Sequence, residues 1–116
     1  MSRTKIAIAG ALGRMGNNLI SSALSNNKVE LVGVFDVKDI DPSFINKNLI
    51  QGNVFTTREE SFDKADIVID FTTPKALFNF TEAAVSNNTG LVIGTTGLDE
   101  SHFNLLKQTS NSTKVF

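Results

Sequence analysis

Residues 6–16, IAIAGALGRMG, are an apolar run that breaks at three glycines spaced three apart, Gly10, Gly13 and Gly16, and passes directly into a helical pattern. This junction leaves the chain little freedom. The turn is tight, its backbone carries no bulky side chain at the glycines, and the helix begins over the carboxyl end of the strand. Backbone N–H groups and a helix amino terminus then converge on one point, an arrangement that favours a phosphate. A plain strand-to-helix turn with close packing at Gly16 explains the same spacing without a ligand. Leu12 also stands where the G-x-G-x-x-G pattern has its second glycine. Twenty residues beyond Gly16, the apolar run Leu31–Phe35 ends in Asp36. At that separation a dinucleotide-binding unit places the carboxylate that accepts the adenosine ribose hydroxyls and repels a 2'-phosphate.

Apolar runs and breakers divide the rest of the chain into alternating strands and helices. Lys5–Ala9 is predicted as a strand, Gly13 to about Asn26 as a helix with Met15, Leu19, Ile20, Ala23 and Leu24 on its apolar face, and Glu30–Phe35 as the second strand. Val37–Gly52 shows no sustained period and reads as loop with a helical turn near Pro42–Asn46. A short strand over Asn53–Thr56, a brief acidic turn or helix over Thr57–Lys64 and a strand over Asp66–Phe71 follow. Thr72-Thr73-Pro74 opens a helix with a hydroxyl at its cap and Ala76, Leu77, Phe80, Ala83 and Ala84 on one face; Asn87, Asn88 and Gly90 stop it. Leu91–Ile93 is a buried strand, Gly94–Gly97 its loop, Asp99–Thr109 a helix carrying Phe103, Leu105 and Leu106, and Lys114–Phe116 a strand that has only begun. Continuously apolar strands separated by helices imply a parallel sheet covered on both faces, a doubly wound, Rossmann-like α/β fold in a single domain. Its last strand is cut short, so more chain is expected to follow.

With 116 residues, 41% of them hydrophobic, the chain can bury one core. The formal charge of −1 is scattered without blocks and gives no footprint for nucleic acid or an anionic membrane. Without cysteine, and with one histidine, the composition supports neither a disulfide framework nor a zinc cluster, and no metal is expected. No apolar stretch reaches the roughly 18 residues of a membrane span, nor does a signal-peptide core follow the amino terminus. A soluble intracellular protein is expected.

In a parallel sheet, ligand loops gather at the carboxyl ends of the strands, which here carry Gly10–Gly16, Asp36, Phe71–Thr73 and Gly94–Gly97. Gly94, Thr95 and Thr96 offer small groups for a nicotinamide, or form a simple glycine-flanked turn. Phe71 packs along a cofactor or ends its strand in the core. Arg14 neutralises a phosphate or lies on the surface, and Lys38 reaches a 2'-phosphate or is solvated. His102, without a partner acid or nucleophile at a recognisable spacing, reads as a solvated helix residue, and no catalytic residue is assigned.

The strings GALGRMG (10–16), DFTTP (70–74) and VIGTTG (92–97), in this order, closely resemble the amino-terminal domain of 4-hydroxy-tetrahydrodipicolinate reductase, also called dihydrodipicolinate reductase, over essentially all 116 residues. That family uses the GxxGRMG spacing, so Leu12 is no departure from it. The resemblance implies an oxidoreductase of the cytoplasm in diaminopimelate and lysine biosynthesis, which passes a hydride from NADH or NADPH to a cyclic dicarboxylate imine. Carried over residue by residue, Gly10, Ala11, Leu12, Gly13, Arg14 and Met15 cradle the diphosphate, Asp36 holds the ribose, and Gly94, Thr95 and Thr96 contact the nicotinamide side. Relatives that favour NADP often have an arginine after the acidic residue. Val37 stands there, which favours NADH and leaves NADPH possible through Lys38. Family members continue into an A-x-N-F-like loop and a carboxyl-terminal domain with the histidine-and-lysine catalytic motif, the dicarboxylate-binding residues and the homotetramer interface, none of which has a counterpart here. Residues 1–116 are therefore expected to be the dinucleotide-binding domain, binding NADH but reducing no substrate alone. A stand-alone nucleotide sensor and an interaction module without ligand remain open as other classes.

Overall fold

The computed structural model describes residues 3–47 and 54–116. Its parallel sheet has the order β2 (Val29–Phe35), β1 (Thr4–Ala9), β3 (Ile67–Asp70), β4 (Gly90–Ile93). Two single bridges extend it, Phe55 against Gly33 beyond β2 and Val115 against Leu91 beyond β4. The chain winds outward from β1 to β2 and Phe55, then crosses back to β3 and winds the other way. That reversal, between β1 and β3, is where an open α/β sheet leaves a crevice at its carboxyl edge. Of the expected strand at Asn53–Thr56 only Phe55 pairs, while Asn53 and the end of the expected loop lie outside the described residues.

The two faces of the sheet bury different side chains. Ile8 and Val34 face α1 (Arg14–Leu24) through Ile20, with Phe44 and Ile45 of α2 (Pro42–Lys47) packed on the same cluster. On the other face Ala7 and Ala9 leave room for three rings, Phe35, Phe62 and Phe80, whose centroids lie 5.7–6.0 Å apart. These rings come from β2, α3 (Arg58–Lys64) and α4 (Leu77–Asn87), so one aromatic cluster ties three elements to the sheet. Small β1 residues on one face and branched ones on the other follow from this division. Gly33 extends it: a Cβ there would collide with Ser61, so α3 lies directly on the backbone of β2.

Several elements depart from the sequence reading. In α1 the buried residues are Gly16, Ile20 and Ala23, whereas Met15 and Leu24 are 49% and 42% exposed. The helix starts at Arg14 and turns its i, i+4, i+7 stripe at Gly16 to the sheet, which carries the neighbouring Met15 and Leu24 off the contact face. The region after Val37 holds a six-residue helix, α2, started by an Asx turn in which Ser43 N–H donates to Asp41 Oδ1 at 2.8 Å. Within the expected Thr57–Lys64 stretch, Arg58–Lys64 is a true helix, with Thr57 before it accepting from Glu60 N–H, a cap worth about 1 kcal/mol. Thr73 occupies the cap position expected of it, but its hydroxyl makes no capping bond and a 3-10 turn (Pro74–Ala76) precedes α4. In α5 (Glu100–Thr109), Phe103 is 59% exposed. His102 is more than a solvated residue: its Nδ1 accepts from Asp99 N–H at 3.0 Å while its own N–H donates to Asp99 Oδ1, so the two residues cap the helix reciprocally. Among the described residues no helix is long and apolar enough to cross a membrane, and no group of three or more metal-ligating side chains converges.

Candidate functional site

All four predicted loops lie at the carboxyl ends of β1 to β4, and direct contacts join them. Gly10 turns with φ +84°, a left-handed conformation that favours glycine, and a Cβ on it would lie 2.6 Å from the Phe71 carbonyl oxygen. A Cβ on Gly16 would collide with the Gly10 carbonyl, so this glycine seats the helix on the loop. Gly13 differs from both. A Cβ there would meet only the Gly10 carbonyl, at 3.4 Å, and would otherwise project into the space in front of the loop. Gly10 and Gly16 are therefore demanded by packing, and Gly13 leaves a cradle open. Helix α1 begins at this cradle with no side-chain cap, so its first-turn N–H groups, which an α-helix cannot satisfy internally, face the loop.

Ala11 is buried and its N–H donates to the Phe35 carbonyl at 3.2 Å, while Leu12, Arg14 and Met15 are exposed around the cradle. Asn17 secures the loop from beneath: its Nδ2 donates to the carbonyls of Gly13 at 2.8 Å and Ala11 at 3.2 Å. Sequence reasoning missed Asn17, although its position one turn into the helix after the glycines was a usable signal. Asp36 accepts from Leu12 N–H at 3.0 Å through Oδ2 and from Val37 N–H at 2.8 Å through Oδ1. The glycine loop and the acid at the end of β2 are thus parts of one structure. Beyond Asp36 lies a cleft of about 520 Å³ lined in part by Lys38, Arg58, Lys75 and Phe80. Arg58 and Lys75 come from elements far apart in sequence, which is why the sequence reading did not group them with Asp36.

Phe71 is half-buried and its ring lies over Gly94, where any Cβ would collide with it. Thr95 is buried, its hydroxyl donating to the Asp70 carbonyl at 3.3 Å, so the exposed hydroxyl of the pair belongs to Thr96. Asp70 itself is fully buried. Its Oδ1 accepts from both Thr72 N–H, at 2.9 Å, and Thr72 Oγ1, at 2.6 Å, and its Oδ2 has no hydrogen-bond partner among the described residues. Burial pushes this carboxyl above the ordinary aspartate range, while Thr72 and Thr95 pull it down less strongly.

A bare cradle at Gly13, first-turn donors beside it and a carboxylate bonded to the same loop fit a dinucleotide. The family model described as "Dihydrodipicolinate reductase, N-terminus" matches residues 4–116. The chain belongs to this family. A 4-hydroxy-tetrahydrodipicolinate reductase of Sulfurimonas denitrificans is 35% identical over 111 residues, covering 96% of this chain and 42% of that protein. That of Pelagibacter ubique is 31% identical over 115 residues, covering 99% of the chain and 43% of that protein. The solved dipicolinate-bound dihydrodipicolinate reductase from Paenisporosarcina sp. TG-14 superposes with a TM-score of 0.70 at 29% identity, over 94% of this chain and 45% of that one. The chain thus spans less than half the length of these reductases, and the part it matches has the Rossmann-like fold described above.

Three expected outcomes follow from the site's construction. Gly13→Ala should leave stability within about 0.5 kcal/mol, because a poorer helix cap and a stiffer unfolded chain offset each other, yet weaken a dinucleotide seated in the cradle about tenfold. Gly16→Ala should instead cost about 1–3 kcal/mol of stability; denaturation and calorimetric titration of both variants separate the two roles. For Asp70 the folded pKa lies above the unfolded one, so its contribution to stability is complete below about pH 4 and is lost as pH rises through the folded value. Denaturation across a pH series should show the wild-type chain losing stability relative to Asp70→Asn over that window, and parallel curves would contradict it.

Proposed function

We propose that this chain is the NAD(P)H-binding domain of a 4-hydroxy-tetrahydrodipicolinate reductase of the cytoplasm, acting in diaminopimelate and lysine synthesis. The observation that carries the proposal is the bond from Leu12 N–H to Asp36, which unites the phosphate cradle and the ribose acid in one site. In this reading Gly10, Ala11, Leu12, Gly13, Arg14 and Met15 take the diphosphate, Asp36 the adenosine ribose, and Phe71, Gly94, Thr95 and Thr96 the nicotinamide side. The bound dinucleotide supplies the hydride. The chain's own residues bind it and present its reactive ring at the carboxyl rim of β3 and β4. Reduction of the substrate and assembly into a homotetramer belong, on this proposal, to a second domain of the complete reductase, in keeping with the relatives' greater length.

NADH is the proposed preferred donor. Asp36 accepts ribose hydroxyls and repels a 2'-phosphate, and Val37 after it is 85% exposed and brings no compensating charge. Lys38, Arg58 and Lys75 around the adjoining cleft support use of NADPH as well. Calorimetric titration of the 116-residue chain with each cofactor tests this. Asp36→Ala should weaken NADH about tenfold more than NADPH, the value of a lost pair of charge-assisted bonds against relief of phosphate repulsion. Equal weakening of both would remove Asp36 from the ribose.

A further inference from the structure

The glycine loop is anchored to the end of β2 through its amides. Gly10 and Ala11 N–H both donate to the Phe35 carbonyl, at 2.9 and 3.2 Å, and Gly13 N–H closes a turn onto the Gly10 carbonyl at 3.1 Å. The central peptide of that turn joins Ala11 to Leu12, and a central turn peptide makes no bond within its own turn. Here it is held from outside at both ends. Its carbonyl, on buried Ala11, accepts from Asn17 Nδ2 at 3.2 Å, and its N–H, on Leu12, donates to Asp36 Oδ2 at 3.0 Å. A trans peptide is planar with its carbonyl and N–H pointing opposite ways, so a bond that fixes one end aims the other.

Asn17 Nδ2 also donates to the Gly13 carbonyl at 2.8 Å, but that oxygen already takes the Asn17 main-chain N–H at 3.0 Å as an ordinary helical bond. The Ala11 carbonyl differs. Among the described residues Asn17 Nδ2 is its one hydrogen-bond donor. The side chain thus adds a constraint that the backbone does not supply, and it adds it to the peptide that meets Asp36. Asp36 Oδ1 accepts from the adjacent Val37 N–H at 2.8 Å, so the bond from Leu12 is the one that sets the carboxylate against the glycine loop.

We propose that Asn17 is a positioning residue for cofactor selection, holding the Asp36 carboxylate at the adenosine ribose through the Ala11–Leu12 peptide. This rests on the reading of Asp36 as the ribose acid. Hydrogen bonds in series polarise one another, so donation to the Ala11 carbonyl also strengthens Leu12 N–H as a donor. A loosened carboxylate loses both of its effects, attraction for the ribose hydroxyls and repulsion of a 2'-phosphate. Asn17 therefore bears on the choice between NADH and NADPH.

The 116-residue chain, Asn17→Ala, Asp36→Ala and the double variant are titrated with both cofactors by calorimetry. Alanine is the stronger helix former at this half-buried position of α1, so the fold is retained. Asn17→Ala should weaken NADH about fivefold and NADPH less than about twofold, and should weaken NADH less than about twofold further once Asp36 is already alanine. Asn17→Ser separates the two carbonyls. Its hydroxyl can bond back to Gly13, one helical turn earlier, but is too short for Ala11, so it should match Asn17→Ala. In the ligand-free chain, hydrogen exchange of the Leu12 amide should quicken about threefold in both Asn17 variants, with the Gly13 amide, closed on Gly10, unchanged. Equal weakening of NADH and NADPH by Asn17→Ala, an undiminished loss beside Asp36→Ala, recovery of NADH affinity by Asn17→Ser, or unchanged Leu12 exchange would each overturn the role of Asn17 while leaving the cofactor site intact. Failure of the wild-type chain to bind NADH, or equal weakening of both cofactors by Asp36→Ala, would overturn the reading on which it rests, and the role with it.

Discussion

The carboxyl rim depends on the approach of Gly10 to the Phe71 carbonyl. Only a residue without a Cβ, turning at φ +84°, lets the first loop lie against the end of β3. From that contact the chain builds in two directions. Toward the helix, Gly16 seats α1 on the Gly10 carbonyl and Asn17 ties the loop's own carbonyls; toward β4, Phe71 carries its ring onto Gly94. The crevice at the reversal of strand order is lined by backbone because bare backbone is what brings its walls together.

The glycine loop and Asp36 were legible because their meaning lies in local spacing. A strand, three glycines and a helix form a unit that the chain cannot easily fold otherwise, and the acid follows at the end of the next strand. The parallel sheet was legible for a similar reason, since its apolar runs are uninterrupted. What escaped were pairings between distant residues. Nothing local marks Gly33 as the surface on which Ser61 rests, or brings Arg58 and Lys75 beside Lys38. Asp70 was read as one letter of a strand-end motif, whereas its main-chain carbonyl also accepts from Thr95, 25 residues on. Helical periodicity named apolar residues in α1 and α5 without saying where the sheet would lie, and Met15, Leu24 and Phe103 turned outward.

His102 shows how one residue type carries different meanings. Without a partner acid or nucleophile at a recognisable spacing, it reads from sequence as a solvated helix residue. Its position three residues after Asp99 gave it a different task, accepting the N–H of the cap residue at the start of α5. The chemistry of imidazole serves here as a hydrogen-bond acceptor that shapes a helix end beside the Gly94–Gly97 loop.

The central claim is that four loops, separate in sequence, form one dinucleotide site at the carboxyl rim. Amide chemical-shift mapping of the isotope-labelled 116-residue chain during titration with NADH tests it most directly. The account predicts saturable shifts at residues 10–17, at Asp36 and Val37, at 71–73 and at 94–97, all following one binding curve. Shifts centred instead on Asp66, Asn88 and Lys114, around the cavity of about 930 Å³ that opens at the amino ends of β3 and β4, would contradict it.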